Sequence, residues 1–194
     1  MVTSRHVAEA LRRARRLVAP VVAAALAACA AEEPARAVDE RLLAALGLAQ
    51  GYQHQADELA ELGQRQEAIE RVQKVLEIPF PRGAPEGEDV RLDAWGRLAE
   101  LRLDEGDEPG AEAAIERGLG EARRVSYFKA RLHAVRGRVL RARAARLREA
   151  GQDAESREAS REAIQAFEQS IEINRQVLGL DGDSGAQPAD ENER

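Results

Sequence analysis

The sequence has few of the residues that usually build catalytic or cross-linked sites. Its 194 residues include one cysteine and three histidines, and only 3% of them are aromatic. A single thiol offers neither an intrachain disulfide nor a cysteine-based metal site. The histidines His6, His54 and His133 lie far apart in the sequence, and no HExxH motif, glycine-rich phosphate loop or nucleophile elbow occurs. These absences predict a protein that has no catalytic residues, no cofactor and no metal.

The sequence also lacks an apolar run long enough to cross a bilayer, which takes about 20 residues. The candidate segment, residues 17–28, has twelve uncharged residues and follows a stretch with five arginines and one acidic residue. A basic start, a short apolar run and a small-residue exit are typical of a secretory signal. Residues 1–28 are therefore predicted to be a signal peptide.

The four residues Leu26, Ala27, Ala28 and Cys29 resemble the lipobox of bacterial lipoproteins. The resemblance implies that the chain is cut before Cys29 and that Cys29 carries acyl chains, with residues 29–37 as a short tether. The residue directly after Cys29 is Ala30 and not an aspartate. By the same analogy this implies an outer-membrane protein that faces the periplasm. The alternative is a cytoplasmic protein in which residues 5–30 form a helix and Cys29 is a small core residue, as free cysteine often is.

The charge of the chain is acidic, with 29 basic and 35 acidic side chains and a formal net charge of −6. Removal of residues 1–28 would leave 24 basic and 34 acidic side chains, a formal charge of −10. Such a net charge argues against general binding to nucleic acid. Alanine, leucine, glutamate and arginine dominate the remainder, and this composition favours helices packed through small residues.

Three stretches, residues 56–81, 94–122 and 141–174, share one pattern: an amphipathic helix, a glycine, a short polar turn and a second helix. The glycines are Gly63, Gly106 and Gly151, spaced 43 and 45 residues apart, and glycine suits the left-handed conformation that follows a helix. Alanine comes five residues later in the first two stretches but twelve later in the third; these alanines are Ala68, Ala111 and Ala163. The pattern predicts paired helices over residues 38–178, followed by a polar, acidic and disordered tail over residues 179–194.

The second helix of each stretch is predicted to bury one apolar stripe, because its apolar residues recur at offsets of three, four and seven. The first stripe comprises Ala68, Ile69, Val72, Val75 and Leu76; the second comprises Ala111, Ala114, Ile115 and Leu119; the third comprises Ala163, Ile164, Phe167 and Ile171.

The repeated pattern resembles the tetratricopeptide repeat, a unit of two antiparallel helices. Trp95-x2-Leu98 and Ala99, with Gly106 and Ala111 behind them, fall on the family's spacing, and "EAIQAFEQSIEI" matches its second helix. The family period is near 34 residues, so the resemblance implies about three hairpins with lengthened helices, as in kinesin-light-chain-like proteins. It implies an all-α solenoid that acts as a protein-binding scaffold. A HEAT-like stack is the alternative fold, and an enzyme carried on helical repeats is the third functional alternative.

The long helix predicted from about Tyr127 to Ala150 carries a segregated basic patch, with eight basic side chains and no acid from Lys129 to Arg148. Because guanidinium groups bind carboxylates through two parallel hydrogen bonds, the patch is a candidate surface for a protein or peptide partner. The candidate residues are Arg131, Arg136, Arg138, Arg141 and Arg143. The alternative is that these arginines are solvated or pair with acids of the following helix, such as Glu155, Glu158 and Glu162.

Overall fold

The computed structural model describes residues 33–180. The predicted signal peptide, the lipobox with Cys29, and the tail from residue 181 onwards lie outside the described residues. The chain divides into two compact units, Met1–Ala44 and Ala45–Arg194. Of the first unit, only the helical residues 33–44 are described, and the packing reported below concerns the second.

The described residues form six α-helices and no strand, which confirms an all-α fold. The first pair comprises α1 (Glu33–Glu61) and α2 (Arg65–Leu76), the second pair α3 (Pro85–Asp104) and α4 (Glu108–Glu121), and the third pair α5 (Tyr127–Glu149) and α6 (Asp153–Val177). Helix α1 begins inside the segment predicted as a tether and runs unbroken through Gly47 and Gly51. None of these helices is both long enough and apolar enough to cross a membrane.

Each pair is joined by a three-residue turn of the same geometry. In the second pair, Gly106 has a φ of +80°, its N–H bonds the carbonyl of Leu103, and the next N–H, of Asp107, bonds the carbonyl of Arg102. This is the Schellman arrangement, which satisfies carbonyls left free at a helix end. Gly63 and Gly151 make the same two bonds with φ angles of +77° and +74°. The three glycines thus fix three equivalent reversals of the chain.

The core between these helices is made mainly of alanine and branched aliphatic side chains, with Trp95 among them. Ala68 and Ala111, five residues after their turn glycines, are both fully buried. The fifth residue after Gly151 is Ser156, which is also buried, and its hydroxyl donates to the carbonyl of Ala144 at 2.8 Å. Ala163 is buried as well, two helical turns further along α6. A hydroxyl that bonds a backbone carbonyl therefore stands in the third pair where alanine stands in the first two.

The predicted apolar stripe of the last helix is wrong at two positions. Ala163 is buried and Phe167 is half-buried, but Ile164 and Ile171 are 57% and 61% exposed. The buried side of α6 is lined instead by small residues: Ser156, Ala159, Ala163, Ala166 and Ser170. Small residues let α5 and α6 approach closely. As a result, a Cβ added to Gly137 would lie only 2.7 Å from the ring of Phe167.

Helix α5 packs against both helices of the second pair. Leu132 is fully buried, with its methyl groups next to Gly96 of α3 and Gly118 of α4. A Cβ on Gly118 would lie 2.9 Å from Leu132, so this packing depends on the missing side chain. The second and third pairs therefore meet through a knob of α5 that enters a gap between α3 and α4.

Candidate protein-binding groove

A cleft of about 290 Å³ lies along the first helices of the three pairs. We call it the first-helix groove, and it is lined by Gln53, His54, Ala56, Asp57, Val72, Asp93, Ala94, Arg97 and Arg131. All of these except Val72 belong to α1, α3 or α5. The groove therefore depends on successive pairs lying side by side, and no single pair contains it.

Alternating charges run across the groove from α1 to α5. Arg97 donates to Asp57 at 2.8 Å, which links α3 to α1. Arg131 of α5 pairs with Asp93 of α3 and donates to Glu100 at 3.2 Å. Gln53 of α1 also donates to Asp93, at 3.1 Å. The side chains are thus held in place by partners on neighbouring helices, and a ligand would meet a preformed polar surface.

Two polar groups in the groove are buried without interactions that fully offset their loss of contact with water. Burial raises the pKa of Asp93, an effect that Arg131 opposes and the nearby Glu100 reinforces. The Nε of Arg97 is buried and makes no hydrogen bond within residues 33–180. An unpaired buried donor costs free energy, and this cost is part of the folded protein because the atom is closed to solvent. The groove therefore contains a buried donor without a partner and a carboxyl group whose charge is disfavoured by burial.

The raised pKa of Asp93 predicts a pH dependence of stability. The folded protein holds this proton more tightly than the unfolded chain, where the pKa is about 3.9. The stabilisation is fully present below that unfolded value and is lost as the pH rises through the folded pKa. Asp93→Asn should therefore match wild type near pH 4 and gain stability relative to it as the pH rises. Urea unfolding of both proteins across this range tests the sign, and a difference that stays constant would contradict it.

The five candidate arginines do not form one open surface. Arg131 and Arg138 both pair with Glu100 of α3, and Arg143 lies 3.8 Å from Glu108 and 3.7 Å from Glu112 of α4. Arg136 and Arg141 are exposed and make no ion pair with a described residue. Arg131 thus lies in the groove, and Arg138 and Arg143 form ion pairs between the second and third pairs. Arg136 and Arg141 are exposed to solvent.

The partners of the basic patch lie on the preceding pair of helices. The sequence also allows pairing with Glu155, Glu158 and Glu162 of the following helix, but Glu158 pairs with Arg161 of its own helix. The ion pairs found for α5 instead join it to α3 and α4. No local motif marks the acids of the second pair as partners of the patch; the one signal in the sequence is that Asp93 and Glu100 are spaced by seven residues, like Arg131 and Arg138.

The two described histidines lie on different helices. His54 lines the first-helix groove, whereas His133 of α5 faces Gln169 of α6. Burial lowers the pKa of His133, and the charges of Arg136 and Lys129 lower it further. Within residues 33–180, no three potential metal-binding side chains lie together.

Comparisons with family models, with curated proteins and with solved structures gave no match for this chain.

Proposed function

We propose that this protein is a lipid-anchored adaptor of the tetratricopeptide-repeat type that holds a protein partner in the bacterial cell envelope. Its fold would be a short solenoid of three hairpins, and its partner would bind along the first-helix groove. The observation that carries this proposal is the row of alternating charges contributed by α1, α3 and α5 to one cleft. Stacked helical hairpins present such extended, rigid surfaces, which suit peptide or subunit docking.

The resemblance of the sequence and the repeated turns support the solenoid interpretation together. Gly63, Gly106 and Gly151 follow the ends of three first helices in the same way, and the residue after each glycine is the N-cap of the second helix. The lipid anchor rests on the resemblance of residues 26–29 to a lipobox. A single acyl chain binds membranes only marginally, so stable anchoring would need the two or more chains that lipoproteins carry.

Mass spectrometry of the native N-terminus tests the anchor. We expect a chain that starts at an acylated Cys29, and we expect Cys29→Ser to move the protein from the membrane to the soluble fraction. An unmodified Met1 in the native protein would instead identify the cytoplasmic adaptor. Position 29 lies outside the described residues, so an unchanged circular dichroism spectrum of Cys29→Ser is the control that separates a change of location from unfolding.

Site-specific photocrosslinking in cells tests the groove. A photoreactive residue at His54 should give one discrete adduct, whereas the same residue at the exposed Glu116 of α4 should give none. Arg97→Ala should reduce the adduct at position 54 by at least fivefold, because it removes the groove's central cation. Equal adducts at positions 54 and 116, or an adduct that is insensitive to Arg97→Ala, would refute binding in the groove.

A further inference from the structure

The outer side of the third pair corresponds to the surface on which the second pair receives α5. When Gly106 and Gly151 are aligned, Gly96 corresponds to Arg141 and Leu103 corresponds to Arg148. On α4 and α6, Ile115 corresponds to Ser160 and Leu119 to Ile164. We call the positions on the third pair the terminal surface: Arg141, Ala145, Arg148, Ser160, Ile164 and Ile171.

The terminal surface is open in the described part of the chain. A cavity of about 580 Å³ is lined there by Arg141, Ala145, Arg148 and Ser160, together with Leu103 and Arg138. Ile164 and Ile171 continue the face of Ser160 along α6, and both are more than half exposed. Arg141 and Arg148 make no ion pair with a described residue. The surface thus combines apolar side chains with two open cations.

The joint between the second and third pairs shows what such a surface binds. There, Asp93 and Glu100 of α3, seven residues apart, pair with Arg131 and Arg138 of α5, also seven residues apart. Matching offsets of seven mean that two helices lie side by side with their charges in register. On the terminal surface the cations Arg141 and Arg148 are also seven residues apart. The matching helix would therefore carry two acids at that spacing.

From this correspondence we infer that the terminal surface binds an acidic amphipathic helix of a partner protein, in the place where the first helix of a fourth pair would lie. The partner helix sets carboxylates against Arg141 and Arg148 and apolar side chains against Ile164 and Ile171. The chain's own residues 181–194 contain five acids but no branched aliphatic or aromatic side chain, so they lack the apolar half of this match.

The acidic helix of this chain itself supplies a probe. A fluorescent peptide with the sequence of residues 84–106 carries Asp93 and Glu100 at the required spacing. Its anisotropy should rise on addition of the full chain, and the double variant Arg141→Glu, Arg148→Glu should weaken binding at least tenfold. The matched control Arg65→Glu, Arg117→Glu reverses two exposed arginines on α2 and α4, and it should leave the dissociation constant within twofold.

Two further measurements separate this interaction from others. A peptide with Asp93→Lys and Glu100→Lys should not bind, and Ile164→Asp in the protein should weaken binding of the original peptide at least fivefold. Binding that ignores Arg141 and Arg148 would show that the peptide has displaced α3 from α5, and it would overturn the inference. So would binding that appears only after deletion of residues 181–194, because that tail would then be the occupant.

Self-association is the remaining alternative occupant. Sedimentation of the full chain should show a monomer. A dimer that the double variant Arg141→Glu, Arg148→Glu dissociates would show that a second copy of the chain, and not a partner helix, occupies the surface. The terminal surface is distinct from the first-helix groove, because none of its six residues lines that cleft. A negative peptide result therefore leaves the photocrosslink at position 54 unaffected, and the two proposals fail separately.

Discussion

Leu132→Ala should destabilise the protein by about 3 kcal/mol, within the range of 2–5 kcal/mol found for buried leucines. Leu132 is fully buried, and its methyl groups fill the gap between two glycines, Gly96 and Gly118. Backbone next to a glycine has no side chain with which to refill the gap, so most of the lost volume would remain as a cavity. A domain with a typical stability of about 5–15 kcal/mol would lose a large share of it.

Urea unfolding monitored by circular dichroism measures this loss directly. The matched control is Leu48→Ala in α1, where the same side chain is 49% exposed, and it should change stability by less than about 0.5 kcal/mol. Equal losses in the two variants would show that α5 does not depend on Leu132 for its place on the second pair. Two separate transitions in the urea titration, instead of one, would indicate that one part of the structure unfolds before the rest.

Glu100→Lys should destabilise the protein by about 2–3 kcal/mol, because it places an ammonium group among three guanidinium groups. Glu100 is mostly buried from solvent, pairs with Arg131 and Arg138, and lies 3.9 Å from Arg97. Ordinary exposed ion pairs contribute less than about 1 kcal/mol. The larger figure follows from the shared position of this one carboxylate between two helices.

A charge exchange distinguishes electrostatics from a general loss of packing. The double variant Glu100→Lys, Arg138→Glu should recover about 1 kcal/mol relative to Glu100→Lys alone, since neighbouring charges couple by about 0.5–3 kcal/mol. Glu116→Lys, on the exposed side of α4, is the control for adding a lysine to a helix and should be close to neutral. High salt should narrow the gap between wild type and Glu100→Lys, and an unchanged gap would argue for a steric cause.

The repeated turns were predictable because their chemistry is local. Gly63, Gly106 and Gly151 each follow an amphipathic helix, and the left-handed conformation needed there favours glycine whatever the distant contacts. The three pairs and the all-α class follow from those positions and the helical period. The sequence does not decide whether α1 is continuous through Gly47 and Gly51, because a glycine within a helix costs only about 1 kcal/mol and does not forbid it.

Which residues of a helix are buried was harder to predict. Ile164 lies next to Ala163 in the sequence, and both fit a helical stripe, but only one of two overlapping stripes on α6 meets α5. Helical periodicity locates the buried face of a helix only to within one or two neighbouring positions. The large apolar side chains of α6 therefore pointed to a stripe that is in fact exposed. Close packing of α5 on α6 selects small side chains instead, so the buried face includes Ser156 and Ser170.

The groove could be predicted only in part. The basic patch was visible, and Arg131 does line the cleft. The acidic partners of the patch were not visible in the sequence. Asp93 and Glu100 lie 38 residues before the arginines and meet them only through the packing of successive pairs. Asp57, Arg97 and Gln53 carry no local motif at all. Their contacts arise from the side-by-side placement of α1 and α3.

The charges at the joint between the second and third pairs impose an order on the units of this chain. Acidic side chains of α3 and α4 face arginines of α5, whereas the terminal surface presents two further arginines, Arg141 and Arg148. A tandem duplicate of the third pair would therefore set arginine against arginine and fail to stack. The units of this protein are not interchangeable modules, and lengthening it by design would require an acid-bearing hairpin as the next one.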